Sequence, residues 1–226
     1  MKKILMLTTG GTIASLPSEE GLAPTGADTI LSHMGPSAAN YDITTQEILT
    51  LDSTNIQPEE WKIIAGAIYQ NIRLYDGIVV THGTDTMAYT ASMMSFMLRN
   101  VPIPVVFTGS QVPIASPLSD APLNLTCAFA MAASATPGIF VAFDRKIMLG
   151  CRSVKVRTTA FDAFESVNYP YAGVVDSSGL NLDRSVIPPQ RGECVLEDTV
   201  DSDVYLLKLT PGTNPKLVDL MIEAGC

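Results

Sequence analysis

The chain has 226 residues, 46% of them hydrophobic and 16% charged, with a formal net charge of −9 and a pI ≈ 4.6. That is enough apolar material for one sizeable core, or for one domain and the start of another, since domains commonly run to ~100–200 residues. So acidic a surface repels phosphates and argues against a nucleic-acid partner, and no stretch approaches the ~18 consecutive apolar residues of a membrane span.

Met1-Lys2-Lys3 before Ile4–Leu7 has the beginnings of a signal peptide. The apolar run breaks at Thr8-Thr9-Gly10-Gly11, shorter than an h-region of ~7–15 residues. It reads as a buried first strand over Lys3–Leu7, and the protein is expected in the cytoplasm. Pro58–Asn71 reads as a helix. Pro58 suits its first turn, Glu59 and Glu60 complement its dipole, and Trp61, Ile64, Ala65 and Ile68 share a face. Gly77–Thr81 reads as a buried strand, and Asp85–Arg99 as a long helix with Met87, Ala91, Met94 and Leu98 at helical spacing. Pro104–Thr108 is a further strand, Leu118–Ala135 contains a helix, and Gly138–Phe143 with Lys146–Leu149 look like a strand pair. Beyond them the chain is less regular. Pro188-Pro189-Gln190-Arg191-Gly192-Glu193 reads as a linker or exposed turn, Asp203–Leu209 as a strand and Lys216–Ala224 as a short helix.

Apolar strands alternating with helices indicate an α/β fold: a largely parallel or mixed sheet flanked by helices on both faces. A lone final strand and helix cannot bury a core, so they either dock on the first domain or begin a smaller second one. In such sheets ligands gather at the carboxyl ends of the strands. Three strands here end in small polar clusters: Thr8–Thr12, Thr81–Thr86 and Thr108–Gln111. If the strands are parallel, all three face one crevice.

Each cluster admits a plain and a chemical reading. Gly10-Gly11 permits a sharp turn, which serves a simple loop, a phosphate cradle, or a Thr12 hydroxyl aimed at a carbonyl. No Walker lysine follows, which weakens the phosphate reading. Thr84 and Asp85 either cap the helix behind them or supply a hydroxyl and an anion. His82 invites a Ser/His/Asp-type triad, but a single histidine beside a glycine reads as structural. Lys155 is either part of a solvated basic turn with Lys146, Arg152 and Arg157, or a lysine desolvated near a threonine and an aspartate, able to take a hydroxyl proton. The four cysteines (Cys127, Cys151, Cys194 and Cys226) form no C-x-x-C pair and only two histidines are present, so no metal site is expected. They read as reduced thiols.

Thr9-Gly10-Gly11-Thr12-Ile13-Ala14 and His82-Gly83-Thr84-Asp85-Thr86-Met87, each after an apolar strand, resemble the two signature motifs of the bacterial-type L-asparaginases, close to the cytoplasmic type I group. Asp52-Ser53-Thr54-Asn55, Thr108–Pro113 and Phe161–Phe164 extend the resemblance over nearly the whole chain. It implies hydrolysis of L-asparagine, or of L-glutamine, without a cofactor. Thr12 would be the nucleophile that forms a β-aspartyl enzyme. Thr84, Asp85 and Lys155 would form a second group, with the lysine activating Thr84. Asp52, Ser53 and Thr54, with Thr84 and Asp85, would bind substrate. The resemblance implies a catalytic domain at 1–190, a linker at 191–203 and the start of a C-terminal domain at 204–226, in a protein that is a homodimer or homotetramer at full length. Two departures stand out: Leu22 replaces a tyrosine that many relatives place in the loop after the first motif, and the chain stops early in the second domain. An inactive fragment binding aspartate weakly is therefore one alternative, and the amidase component of a tRNA-dependent amidotransferase, which shares these motifs, is another.

Overall fold

In a computed structural model, residues 1–18, 21–24 and 27–225 are described, apart from the side chains of residues 14–18, 21–24, 27, 28 and 36. The Leu22 side chain, where the sequence departs from the asparaginase pattern, lies outside the described residues. In chain order the elements are β1 (Lys2–Gly10), β2 (Ser15–Ser18), β3 (Gly21–Pro24), α1 (Ala27–His33), β4 (Tyr41–Leu51), α2 (Pro58–Asn71), β5 (Gly77–Thr81), α3 (Met87–Met97), β6 (Leu98–Arg99), β7 (Pro104–Thr108) and α4 (Ala121–Ala132). They continue with β8 (Gly138–Phe143), β9 (Lys146–Leu149), β10 (Ser153–Lys155), β11 (Phe164–Ser166), β12 (Gly173–Asp176), β13 (Gly179–Leu182), β14 (Val195–Leu196) and α5 (Lys216–Glu223).

Eight strands form one sheet in the order β13-β12-β9-β8-β7-β5-β1-β4. The run β8-β7-β5-β1-β4 is parallel, and β9, β12 and β13 are added antiparallel. Strands β5, β7 and β8 are buried along their whole length, which is why they read as unbroken apolar runs. Their side chains still divide by face with period two. Leu5, Leu7, Val80, Phe107 and Val141 pack with α2 and α3. Ile4, Met6, Val79, Val106 and Phe140 pack with Ile30 of α1 and with α4. Each such side chain, fully buried, contributes about 1.5–3 kcal/mol. Helices therefore cover both faces of a mixed sheet, as expected.

Several elements differ from expectation. Strand β4 carries Thr44, Thr45, Gln46 and Glu47 and is half-exposed. It sits at the sheet edge, where one face and one flank meet water, so no apolar run marks it. Helix α3 starts at Met87 rather than Asp85, because Thr84–Thr86 form a turn and the first helical bond runs from the Thr90 N–H to the Thr86 carbonyl. At its other end Leu98–Arg99 leave the helix to pair antiparallel with Val195–Leu196. The expected strand over Asp203–Leu209 does not form: these residues have no regular structure, and Val204, Leu206 and Leu209 are exposed. A strand needs a neighbour to take its backbone hydrogen bonds, and among the described residues no strand pairs with this segment. Helix α5 forms as expected but buries none of its residues. Residues 191–203, expected as a linker, carry β14, and Glu197 there pairs with Arg99.

Candidate active site

Strand β1 lies between β4 and β5. The chain leaves β1 for β4 on one side and returns to β5 on the other, so the carboxyl ends of β1 and β5 flank a topological switch point, the place where such sheets open a crevice. The Gly10-Gly11 turn that follows β1 has φ values of 98° and 81°, a region that strains any residue bearing a Cβ. The Gly11 N–H donates to the Leu51 carbonyl at 3.1 Å, tying the turn to the end of β4.

Close backbone approach then brings the clusters together. A Cβ on Gly11 would lie 2.5 Å from the Gly83 Cα, and one on Gly83 would lie 2.5 Å from Ser53 Oγ. Glycine is required at both points. Thr9 Oγ1 donates to the Thr81 carbonyl at 3.0 Å, and the His82 N–H to the Thr108 carbonyl at 2.9 Å. Thr12, Ser53 and Thr84 thus stand on adjoining loops around one crevice, as parallel strands predict. Thr12 is half-buried at the start of a 3-10 turn, Thr12–Ala14, while Ser53 and Thr84 are buried.

Lys155 arrives from the second half of the chain. It sits on β10, opposite Phe164 of β11. Phe164 is buried against Phe143, with ring centroids 4.7 Å apart, and this anchors the small hairpin to the core. Lys155 Nζ donates to Thr84 Oγ1 at 2.9 Å and to Asp85 Oδ1 at 2.7 Å. The lysine side chain is 12% exposed and the aspartate 56%, so the pair is shielded on the lysine side and wet on the other. A cleft of about 480 Å³ borders the pair, lined by Asp85, Tyr89, Ser92, Lys155 and Arg157 among others, with Thr12, Ser53 and Thr84 outside its lining. That volume suits a small ligand.

Asp52 and Thr54 bond to each other. Asp52 Oδ1 accepts from the Thr54 N–H and from Thr54 Oγ1, both at 2.8 Å. The Thr54 N–H, then its hydroxyl, hold the Asp52 carboxyl below the usual carboxylate range. Between them Ser53 turns inward, its carbonyl accepting from Thr86 Oγ1 at 2.7 Å. Of the expected site residues, Thr84, Asp85 and Lys155 are in direct contact, and Thr12 and Ser53 adjoin them through Gly11 and Gly83. Asp52 and Thr54 flank Ser53 on its exposed side.

His82 has a different role from the chemistry around it. It is fully buried. The Gly83 carbonyl beside His82 Nδ1 only accepts, so in the neutral ring Nε2 is the acceptor and takes the Thr90 hydroxyl proton, 2.9 Å away, while Thr90 Oγ1 accepts from Trp61 Nε1–H at 3.1 Å. His82 Nδ1 carries the ring proton and donates to the Gly83 carbonyl at 2.8 Å. Burial lowers its pKa to about 4, only partly opposed by the Gly83 bond. His82 is a neutral structural brace for the turn before Thr84.

Gln111 is a site residue that the sequence reading passed over. Its Oε1 accepts from Thr84 Oγ1 at 3.0 Å, and its Nε2 donates to the carbonyls of Thr158 and Ala160 at 2.8 and 3.1 Å. Both carboxylate oxygens of Asp120 accept its backbone N–H, at 3.0 and 3.1 Å, and Asn124 Nδ2 donates to that carboxylate and to the Gly109 carbonyl. The Thr108–Gln111 cluster after β7 was the only signal. Among the described residues, no three His, Cys, Asp or Glu side chains converge as metal ligands would, and no helix is long and apolar enough to cross a membrane.

The family profile described as asparaginase, N-terminal, matches residues 3–188. The chain belongs to the asparaginase family. An L-asparaginase from Thermococcus kodakarensis is 47% identical over 224 residues, covering 98% of this chain and 68% of that protein. The solved thermostable L-asparaginase from the same organism superposes with a TM-score of 0.90 at 46% identity, again over 98% and 68% of the two chains. L-asparaginase 1 of Escherichia coli is 35% identical over 96% of this chain and 66% of its own length. A glutamyl-tRNA(Gln) amidotransferase polypeptide of Methanosarcina barkeri is 34% identical, but this chain spans 56% of it. This asparaginase-family chain thus spans about two thirds of the length of the asparaginases it matches.

Proposed function

We propose that this chain carries the hydrolytic site of an L-asparaginase, converting L-asparagine to L-aspartate and ammonia. The observation that supports it most is the contact of Lys155 with both Thr84 and Asp85, beside the glycine turn that bears Thr12. In the proposed reaction the Thr12 hydroxyl attacks the side-chain amide carbon. The C–N bond breaks, ammonia departs with the hydroxyl proton, and a β-aspartyl ester remains on Thr12. Water then attacks that ester. It passes a proton back to Thr12 with help from Thr84 and Lys155, and aspartate leaves. Ser53 takes the substrate α-carboxylate. Asp85, with one oxygen on Lys155, offers its other oxygen to the α-amino group. Backbone N–H groups of the Thr12–Ala14 turn stabilise the oxyanion. A homodimer or homotetramer is the assembly we favour for the full-length protein, supported by exposed Tyr89 and Phe96 on α3 and by the apolar side chains of α5.

Ammonia release from asparagine, with glutamine as the comparison substrate, tests this reading. Thr12→Ala, Thr84→Val and Lys155→Met should each lower turnover by about 10²–10⁴-fold while the fold remains, since each removes a group that moves or holds a proton. A folded Thr12→Ala protein with wild-type turnover would refute the assignment. The exposed segment from Asp201 onward favours a second reading, a domain that binds aspartate but turns over little. Equal activity in this chain and in a C-terminally extended one would remove that alternative.

A further inference from the structure

We infer that Gln111 is a positioning residue that sets the direction of the Thr84 hydroxyl proton. The inference rests on the asparaginase reading of the site and goes beyond it. The orientation of the Gln111 amide is fixed by chemistry. Its Nε2 lies 2.8 and 3.1 Å from two carbonyl oxygens, those of Thr158 and Ala160. Carbonyls only accept, so the amide nitrogen must face them and the amide oxygen must face Thr84. An amide oxygen also only accepts. The Thr84 O–H therefore points at Gln111, 3.0 Å away. A lysine ammonium only donates, so the Lys155 bond at 2.9 Å uses a lone pair of Thr84 Oγ1. The order of donation is Lys155 to Thr84 to Gln111.

This order has a chemical consequence. Thr84 keeps its proton on the side away from the lysine and retains a second lone pair for a reacting group in the crevice. Gln111 also joins the two halves of the site. Its side chain holds residues 158–160, just beyond Lys155, while Asp120 clamps its backbone at 3.0 and 3.1 Å and that of Val112 at 3.1 Å. The loop after β7 thereby fixes the Thr84 proton and the segment that follows the lysine.

The test compares wild type with Gln111→Met, which keeps the length but loses the acceptor and the two donors, and Gln111→Glu, which loses the same donors but keeps an acceptor. Two quantities are read: kcat and KM for asparagine, and the Thr84 hydroxyl proton by NMR on threonine-labelled protein. Of the three side-chain hydrogen bonds that the Met variant lacks, the one that orients the Thr84 hydroxyl should lower kcat about tenfold, with KM little changed. Wild type should show a Thr84 hydroxyl proton protected from exchange and close to the Gln111 amide. That signal should persist in the Glu variant and vanish in the Met variant. An unchanged kcat in Gln111→Met, or a protected hydroxyl signal that survives in it, overturns the proposal. If wild type releases no ammonia, the hydrolase reading fails, and the hydroxyl signal alone decides the role of Gln111.

Discussion

His82 shows how far a residue's surroundings can override its usual chemistry. It lies beside Thr84 in the signature motif, yet both ring nitrogens are committed, to Thr90 and to Gly83. Burial holds its pKa at about 4 against an ordinary 6.5. A pKa depressed on folding stabilises the native state above the unfolded value, and that stability is lost as pH falls from 6.5 towards 4. At 1.36 kcal/mol per unit the loss is ~3 kcal/mol. Urea unfolding at several pH values should show this decline in wild type. In His82→Asn, whose amide can still donate to the Gly83 carbonyl and does not titrate, the decline over that window should be much smaller. An identical pH slope in the variant would contradict the neutral-brace assignment. The sequence pointed to a structural histidine because a single histidine beside a glycine is more often structural than catalytic, even with Thr84 and Asp85 nearby to suggest a triad. It could not show Thr90 as the partner of Nε2, or Trp61 as the partner of Thr90, since both come from helices whose packing had first to be known.

Among the elements, the β10–β11 hairpin depends most on distant contacts. Its strands are three residues each, too short to persist alone. Phe164, buried against Phe143, holds it in place, and Lys155 is the residue paired with Phe164. Phe164→Ala should cost about 3–5 kcal/mol of stability. It should also lower asparagine turnover in the protein that remains folded, because Nζ is no longer held against Thr84. Calorimetry and the ammonia assay on the same preparation check both. Unchanged turnover with reduced stability would separate the hairpin anchor from lysine placement. The helix over Pro58–Asn71 and the strands over Gly77–Thr81 and Pro104–Thr108 were legible to the residue, because local periodicity and caps decide them. Strand β4 was not, because its edge position leaves its polar face wet and its sequence without an apolar run.

Over the whole molecule, the eight-stranded sheet and its two helical layers hold the core, while the chain from Asp201 onward lies outside it. No residue of α5 is buried, and Val204, Leu206 and Leu209 are exposed. Deleting residues 203–226 should therefore shift Tm by no more than about 2 °C, since changes away from buried contacts fall within about ±0.5 kcal/mol. It should also reduce any association of the chain, because it removes exposed apolar side chains. A Tm drop of more than about 5 °C would show that this segment supports the core after all.

The sequence by itself determined the α/β class, the central strands, the two glycine–threonine motifs and the family they resemble. All of these depend on local pattern: apolar runs, helical spacing, and residue types adjacent along the chain. The tertiary structure decided which of those residues meet. Lys155 reaches Thr84 across 71 positions, Gln111 reaches it across 27, and Ser53 adjoins the second motif through Gly83 and Thr86. Such meetings follow from strand order and from close backbone approach at the carboxyl ends of β1, β4, β5 and β7. Neither leaves a periodic trace in the chain, because the free energy that selects them is gained only when the whole sheet has assembled.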